Sequence, residues 1–233
     1  MTPPGLSHYN AQAMERGLVT GGGKPLRFVL PDAAVLDCGY EERAFHTGDV
    51  LTRPANWHDA YNAEVWLEFP LTKAALNRRH VEALVVSRAQ GTQERGRVRD
   101  RLTQFDECGV IVAGMSPDLW EALCTHRWRT VFVDHRAELI ATTRFLIFGH
   151  ASRDLLRAPF VGLCGKAIRL EETELSAIDD ELARRLTSAD FQIPWPALPL
   201  LGIPGMTADN EDAAYYDDTR QFRPLRTRAR MAA

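Results

Sequence analysis

The chain has 233 residues, 45% of them hydrophobic and 25% charged, with a net charge of -3. This is ordinary globular composition, long enough for a sizeable core, and it offers no global attraction to nucleic acid or to an anionic membrane. No apolar run approaches the roughly 18–20 residues needed to cross a bilayer. Residues 1–6 hold neither a basic nor an apolar leader region, so the expected location is the cytoplasm. The four cysteines (Cys38, Cys108, Cys124 and Cys164) are widely spaced, which argues against a disulfide framework or a zinc ribbon and for buried reduced thiols.

In chain order, residues 1–24 read as a flexible segment, with Thr20 followed by Gly21, Gly22 and Gly23. Residues 26–30 form a short apolar run closed by Pro31, as in a strand. The stretch from Asp37 to Asp49 reads as loop. Residues 63–69 alternate Glu64, Trp66 and Glu68 against Val65, Leu67 and Phe69, a period of two that predicts a strand, with a helical turn as its competitor. From Leu71 to Arg88 the period is helical. Leu71, Ala74, Ala75, Val81, Leu84 and Val85 form one apolar face, and Lys73, Asn77 and His80 share another stripe. Residues 88–101 read as a basic loop, with Arg95, Arg97, Arg99 and Arg101 close together.

Val110–Ala113 is a short buried segment. Ser116, Pro117 and Asp118 carry the signature of a helix start. Residues 137–156 read as the longest helix, with His150 in its C-terminal half. Residues 161–170 lead through glycines into a strand, and 174–186 form another helix. Residues 191–206 are proline-rich, with a tight turn at Pro204-Gly205. Tyr215, Tyr216, Asp217 and Asp218 are expected to dock the C-terminal segment. The predicted class is α+β: a single helix-rich domain over residues 25–225, with a few short strands, an extended Pro-rich C-terminal arm and a disordered basic tail at 226–233.

The densest mixture of polar groups and large apolar anchors lies at 56–80, where His58, Asp59, Asn62, Lys73, Asn77 and His80 sit among Trp57, Trp66 and Phe69. His58, Asp59 and Asn62 are candidate catalytic groups; the alternative is a hydrogen-bonded cluster bracing the two tryptophans. Lys73, Asn77 and His80 read as a solvated helix face or as site residues. The adjacent carboxylates Asp106 and Glu107 suit metal ligation, general-base work, helix capping or pairing with Arg99 and Arg101. His150 is either a satisfied core histidine or a ligand, and Gly149 before it permits close approach of another backbone. His58, Asp106, Glu107 and His150 make a metal set if the fold brings them together. Carboxylate, amide and imidazole ligands together suit Mg, Mn or Zn. Arg97, Arg99 and Arg101, with Lys73 and Lys166, are candidates for gripping a phosphate-containing substrate. Nucleic acid would need a local basic patch.

Several strings carry a resemblance: Trp57-His58-Asp59 with Asn62-Ala63 and Trp66; Phe69-Pro70 with Thr72-Lys73; Phe105-Asp106-Glu107 with Gly109; Phe148-Gly149-His150-Ala151; Gly165-Lys166-Ala167; residues 199–205; and Tyr216-Asp217-Asp218 with Phe222-Arg223-Pro224. Together they resemble the bacterial family known as domain of unknown function 3025, over about residues 25–225. That resemblance brings no activity with it. The run from His58 to His80 also resembles, by analogy, the ββα-metal (HNH-type) nuclease finger. The analogy implies His58 as general base, Asn62 as its orienter, Asn77 or His80 as metal ligand and Asp59 as an accessory ligand. Here the acidic residue follows the histidine, where that pattern commonly has it before, and no cysteine pairs brace the finger.

The functional expectation is a metal-dependent hydrolase, nuclease-like, with a divalent ion as cofactor. The alternatives are a non-catalytic ligand- or partner-binding protein and a metal-free enzyme using Asp106 or Glu107 as base.

Overall fold

The computed structural model describes residues 2–31, 39–91, 96–188 and 195–225. Arg95, Cys38, residues 191–194 and the 226–233 tail lie outside these. The chain is α+β and helix-rich, as its sequence predicts, and it divides into two compact units.

The first unit comprises residues 1–109, 147–157 and 172–194. Its helices are α1 (Leu6–Glu15), α2 (Tyr40–Thr47), α3 (Trp57–Glu68), α4 (Pro70–Ala89), α5 (Gly96–Cys108), α8 (His150–Leu155) and α9 (Leu175–Thr187). Two short strands, β1 (Arg27–Val29) and β2 (Asp49–Leu51), pair in parallel with Phe28 opposite Val50. Tyr9, Phe28, Ala44, Val50, Ala60, Ala63, Trp66 and Leu67 form one apolar cluster beneath them.

The N-terminal segment is ordered by two kinds of contact. Asn10 on α1 bonds Phe28 through both its amide groups, each at 2.8 Å, and Tyr9 and Ala13 are buried. Gly21 and Gly22 are glycines for lack of space. A Cβ on Gly21 would lie 2.5 Å from the Ala74 carbonyl oxygen, and one on Gly22 would lie 1.9 Å from the Phe45 carbonyl oxygen. The glycine run therefore marks backbone packed on α4 and α2, where composition alone suggests a flexible link.

Three element types differ from expectation, each for a local reason. The segment read as loop before Asp49 contains α2. Gly39 stands at its N-cap, Glu41 and Glu42 in its first turn, His46 in its last, and Gly48 closes it at φ 86°; these are start and stop signals in their own right. Residues 63–69 form no strand but the end of α3, whose N-cap Asn56 accepts from the Asp59 amide at 2.9 Å. Both sides of that helix are buried, so the alternation carries no information about period. Residues 137–156 are three elements: α7 (Arg136–Thr142), β4 (Arg144–Ile147) and α8. Thr142, Thr143, Phe145 and Ile147 are β-branched or aromatic, which disfavours helix and favours strand.

α4 is where the reading of faces inverts. Its buried residues are Thr72, Lys73, Leu76, Asn77, His80 and Val81, while Leu71 and Val85 are more than half exposed. The polar stripe faces inward because its groups are satisfied there. Thr72 lies against Asp179 of α9, whose carboxylate also accepts from the Leu71 and Thr72 amides at 2.9 and 2.8 Å. This supplies the N-terminal cap that Phe69 cannot.

The second unit holds the four-stranded sheet of β3 (Gly109–Ala113), β4, β5 (Cys164–Leu170) and β6 (Ala197–Pro199), in the order β4-β3-β5-β6. β5 and β6 are antiparallel, with Gly165 opposite Leu198. Helix α6 (Pro117–Cys124) starts at Ser116 as expected, with the Ser116 hydroxyl accepting from the Leu119 amide at 3.4 Å. Tyr216 is buried and donates to the Gly202 carbonyl, while Phe132 stacks on its ring at 5.4 Å. Cys108, Cys124 and Cys164 are free thiols, half-buried and not fully buried as expected. Among the described residues no helix is long and apolar enough to cross a membrane.

Candidate functional site

The first unit contains a cleft of about 720 Å³ lined by α2, α3, α4, α5 and the start of α8. Eight of its lining residues come from the candidates above: His58, Asp59 and Asn62 on α3, His80 on α4, Arg99, Asp106 and Glu107 on α5, and His150 at the start of α8.

The walls meet because of aromatic packing. Phe148 stacks on Phe105 at 4.7 Å and meets Phe69 edge-on at 5.4 Å, so the chain entering α8 is fixed against α5 and the start of α4. Gly149 then crosses directly over the end of α5. Its amide and that of Phe148 both donate to the Gly109 carbonyl, at 2.8 and 3.0 Å. His150 thus begins a short helix over the carboxylates of α5, and is not buried midway along a long one.

At this corner His58, Glu107 and His150 each offer one ligand atom, and these atoms all lie within 4.8 Å of one another. The His58 and His150 rings meet edge-to-face at 4.6 Å. His150 Nε2 is 3.6 Å from Glu107 Oε2, and its Nδ1 is 3.8 Å from Asp106 Oδ2. That Nδ1 is buried with no hydrogen-bond partner among the described residues. Behind it stands a chain of polar groups, with Lys73 and Asn62 buried, Asp106 half-buried and Tyr40 exposed. Lys73 Nζ donates to Asp106 Oδ1 at 2.5 Å and to Asn62 Oδ1 at 2.8 Å, and Asn62 Nδ2 donates to the Tyr40 hydroxyl at 2.7 Å. The Lys73 ammonium also lies 5.4 Å from the Trp66 ring centroid, within cation–π range.

The electrostatics follow from burial and pairing. Burial opposes the charge on Asp106, but Lys73, with His150 and His80, outweighs it and holds the carboxyl below its usual range. Burial pushes the His150 imidazole down to about 4 against the pull of Asp106, and it lowers His80 as well. Burial likewise drives the Tyr40 phenol well above its ordinary value. Both histidines are therefore neutral at pH 7.

A stability consequence follows for metal-free protein. Between about pH 6.5 and 4 the unfolded chain binds a proton at residue 150 that the folded chain refuses, and His80 acts in the same direction. The stabilising contribution is full above 6.5 and drains as the pH falls toward 4. For His150 alone the loss is roughly 3 kcal/mol. Urea unfolding in chelator at pH 7 and at pH 4.5 should show it, and His150→Gln should flatten the difference. An identical slope in that variant would remove His150 as its source.

Other candidates have different roles. Asp59 is committed to Arg53: its carboxylate takes two side-chain bonds at 2.8 Å and the Arg53 amide at 2.7 Å. Burial works against this charge, yet the Arg53 contacts still lower its pKa. It is not a free base. Asn77 is a tie and not a metal ligand. Its Nδ2 donates to the Glu41 carbonyl and carboxylate at 2.8 and 2.7 Å, and its Oδ1 accepts from Gly21 at 3.2 Å. Lys73 is only 4% exposed and serves as an internal counterion, so it is neither on a solvated face nor placed to grip substrate. Of the candidates Arg97, Arg99 and Arg101, Arg99 lines the cleft. Arg97 is exposed and borders an adjoining depression with Arg79, Glu82 and Arg99, which lines both, and Arg101 is not among the lining residues. Lys166 lies on β5 of the second unit. The expected basic loop is in its latter part α5, so Arg99 is carried on a helix. Since 57–68 is helical, the second strand of a ββα finger is not formed there.

Tyr40, Glu41, Glu42, Arg53 and Arg88 also line the cleft and were not singled out in the sequence. Arg88 pairs with Glu42 through both guanidinium nitrogens. The signal that would have found them is the bracketing of 40–47 by Gly39 and Gly48, which places a helix, and hence Tyr40, Glu41 and Glu42 in its first turn, directly before β2.

Comparison with known proteins gives one match. No curated protein and no solved structure matches the chain. The sequence profile described as "Protein of unknown function (DUF3025)" matches residues 26–226, so most of the chain, including every residue of the cleft, falls inside it. The chain belongs to the DUF3025 family.

Proposed function

We propose that this protein is a metal-dependent hydrolase whose His58, Glu107 and His150 hold one divalent ion in the cleft. The observation that carries the reading is the convergence of those three ligand atoms within 4.8 Å of one another. Two imidazoles and one carboxylate make a donor set suited to Zn, with Mn next, and poorly suited to Mg, which prefers oxygen. On this reading His58 is a ligand and not the general base.

The second layer fits a metal as well. A ligating histidine ordinarily passes its other ring N–H to a carboxylate, which fixes its tautomer and orientation. Asp106 Oδ2 lies near that position, 3.8 Å from His150 Nδ1, and Lys73, itself held by Asn62, holds Asp106 in turn. An ion bound there would lower the pKa of a coordinated water and polarise a carbonyl or phosphoryl oxygen. The chain's own part is to keep the His150 imidazole neutral through burial, to set Asp106 beside it and to wall off one side of the site.

Zinc or cobalt titration of chelator-treated protein should give one ion per chain. His150→Ala and Glu107→Gln should weaken uptake at least 100-fold, and Asp106→Asn by about 10–100-fold. A panel of phosphoester and carboxylic ester substrates should show turnover that chelation abolishes and metal restores. Absence of stoichiometric uptake would overturn the proposal. Uptake without turnover on any ester would instead favour a non-catalytic binding protein.

A further inference from the structure

One side chain of the cleft bears on what the proposed centre receives. Arg99 lies on α5, four residues before Thr103 and seven before Asp106, and all three line the cleft along one stripe of that helix. The cleft's other arginines are committed, Arg53 to Asp59 and Arg88 to Glu42. Most of its acids are committed too: Asp106 to Lys73, Asp59 to Arg53, Glu42 to Arg88, and Glu41 to Asn77. Arg99 differs. Its Nε is buried and has no hydrogen-bond partner among the described residues. A buried guanidinium N–H without an acceptor is unfavourable unless a ligand supplies one. The ligand chemistry that meets a planar guanidinium fork is an oxyanion with two coplanar oxygens.

We infer that the cleft takes a substrate bearing an oxyanion, a carboxylate or a phosphate group, and that Arg99 grips it beside the His58, Glu107 and His150 corner. The inference rests on the proposed function for the word substrate, but the anion site itself is independent of metal. Its nearest neighbours in kind support it. His80 lines the same wall as a neutral imidazole, so it competes for no anion as a charge yet remains a hydrogen-bonding group. Thr103, one turn along α5, adds a hydroxyl.

The test uses the full chain freed of metal by chelation, with inorganic phosphate and acetate as separate probes, followed by NMR or calorimetric titration. Wild type should bind at least one of the two. Arg99→Gln should weaken that binding by at least about tenfold, Arg99→Lys by less, and Arg97→Gln, outside the cleft, not at all. Preference for phosphate assigns a phosphoryl-bearing substrate, preference for acetate a carboxylate-bearing one, and equal binding a general oxyanion grip. Equal affinity in wild type and Arg99→Gln, or binding of neither anion by wild type, would overturn the inference. Zinc titration of the same variant keeps the two readings apart. Anion binding through Arg99 in a chain that takes up no metal would overturn the proposed function alone. Normal metal uptake with anion binding indifferent to Arg99 would overturn this inference alone.

Discussion

Replacing Lys73 by Met should destabilise the protein by about 3–5 kcal/mol at pH 7, a large part of a typical folding free energy. The substitution keeps the length and removes the charge. It strips Asp106 of its 2.5 Å partner while leaving that carboxylate buried. An unpaired buried charge is the costly outcome, far more so than the absence of the pair. Asp106 can relieve the cost by taking up a proton, so its folded pKa should move from below the ordinary value to above it. A raised carboxyl pKa contributes stability that is present at low pH and lost as the pH rises through the folded value. The variant should therefore lie closer to wild type at pH 5 than at pH 8. Adding Asp106→Asn to Lys73→Met removes the stranded charge and should recover part of the loss, which also guards against a single variant too unstable to measure. Urea unfolding of all four members of the cycle at both pH values measures this. A Lys73→Met chain within about 0.5 kcal/mol of wild type at pH 8 would show that the pair is solvated or dispensable.

How much of this was legible in the sequence depends on which physical signal each residue carries. The capping signature at Ser116 places α6 because caps are local, and the helical period of 71–88 places α4. The α+β class followed from the same local patterns. Lys73, Asn77 and His80 share one stripe, as the spacing predicts, and of the two readings it allows, a solvated face or site residues, the solvated face does not hold. Polarity indicates the exposed face only when the groups have no internal partners, and Lys73 and Asn77 find theirs in Asp106, Asn62, Glu41 and Gly21. Those partners lie between 11 and 56 residues away along the chain, so no window could reveal them. His58, Glu107 and His150 were each suspected for their chemistry. Their meeting depends on three phenylalanines and one glycine that bring α8 across the end of α5. The commitment of Asp59 to Arg53 was nearer at hand, six residues away, but it needs the turn at Ala55, φ 55°, to close.

Gly149→Ala should be nearly as disruptive, though it adds a single methyl group at a position outside the lining of the metal-site cleft. A Cβ there would lie 2.4 Å from Cys108 Cα, 2.5 Å from the Cys108 amide nitrogen and 2.5 Å from the Glu107 carbonyl oxygen. All three are backbone atoms, so no side chain can rotate away; the start of α8 and the end of α5 must separate. Overpacking of this kind costs about 1–3 kcal/mol where the surroundings can give, and the upper end is expected because the neighbouring Phe105 and Phe148 stack resists the movement. The same separation carries His150, the next residue, away from Glu107, the residue before Cys108. Zinc uptake should therefore fall by at least tenfold, although neither ligand has been altered; positioning errors of this size have such effects at metal sites. Gly91→Ala is the comparison. Gly91, unlike Gly149, has a left-handed backbone, φ 64°, but nothing lies within 4 Å of its added Cβ. It should lose about 1 kcal/mol from backbone strain and keep wild-type zinc affinity. Both variants are read by urea unfolding and zinc titration. If Gly149→Ala loses stability yet binds zinc as wild type does, the crossing of α8 over α5 is a packing feature only, and the metal centre must be drawn from other residues of the cleft.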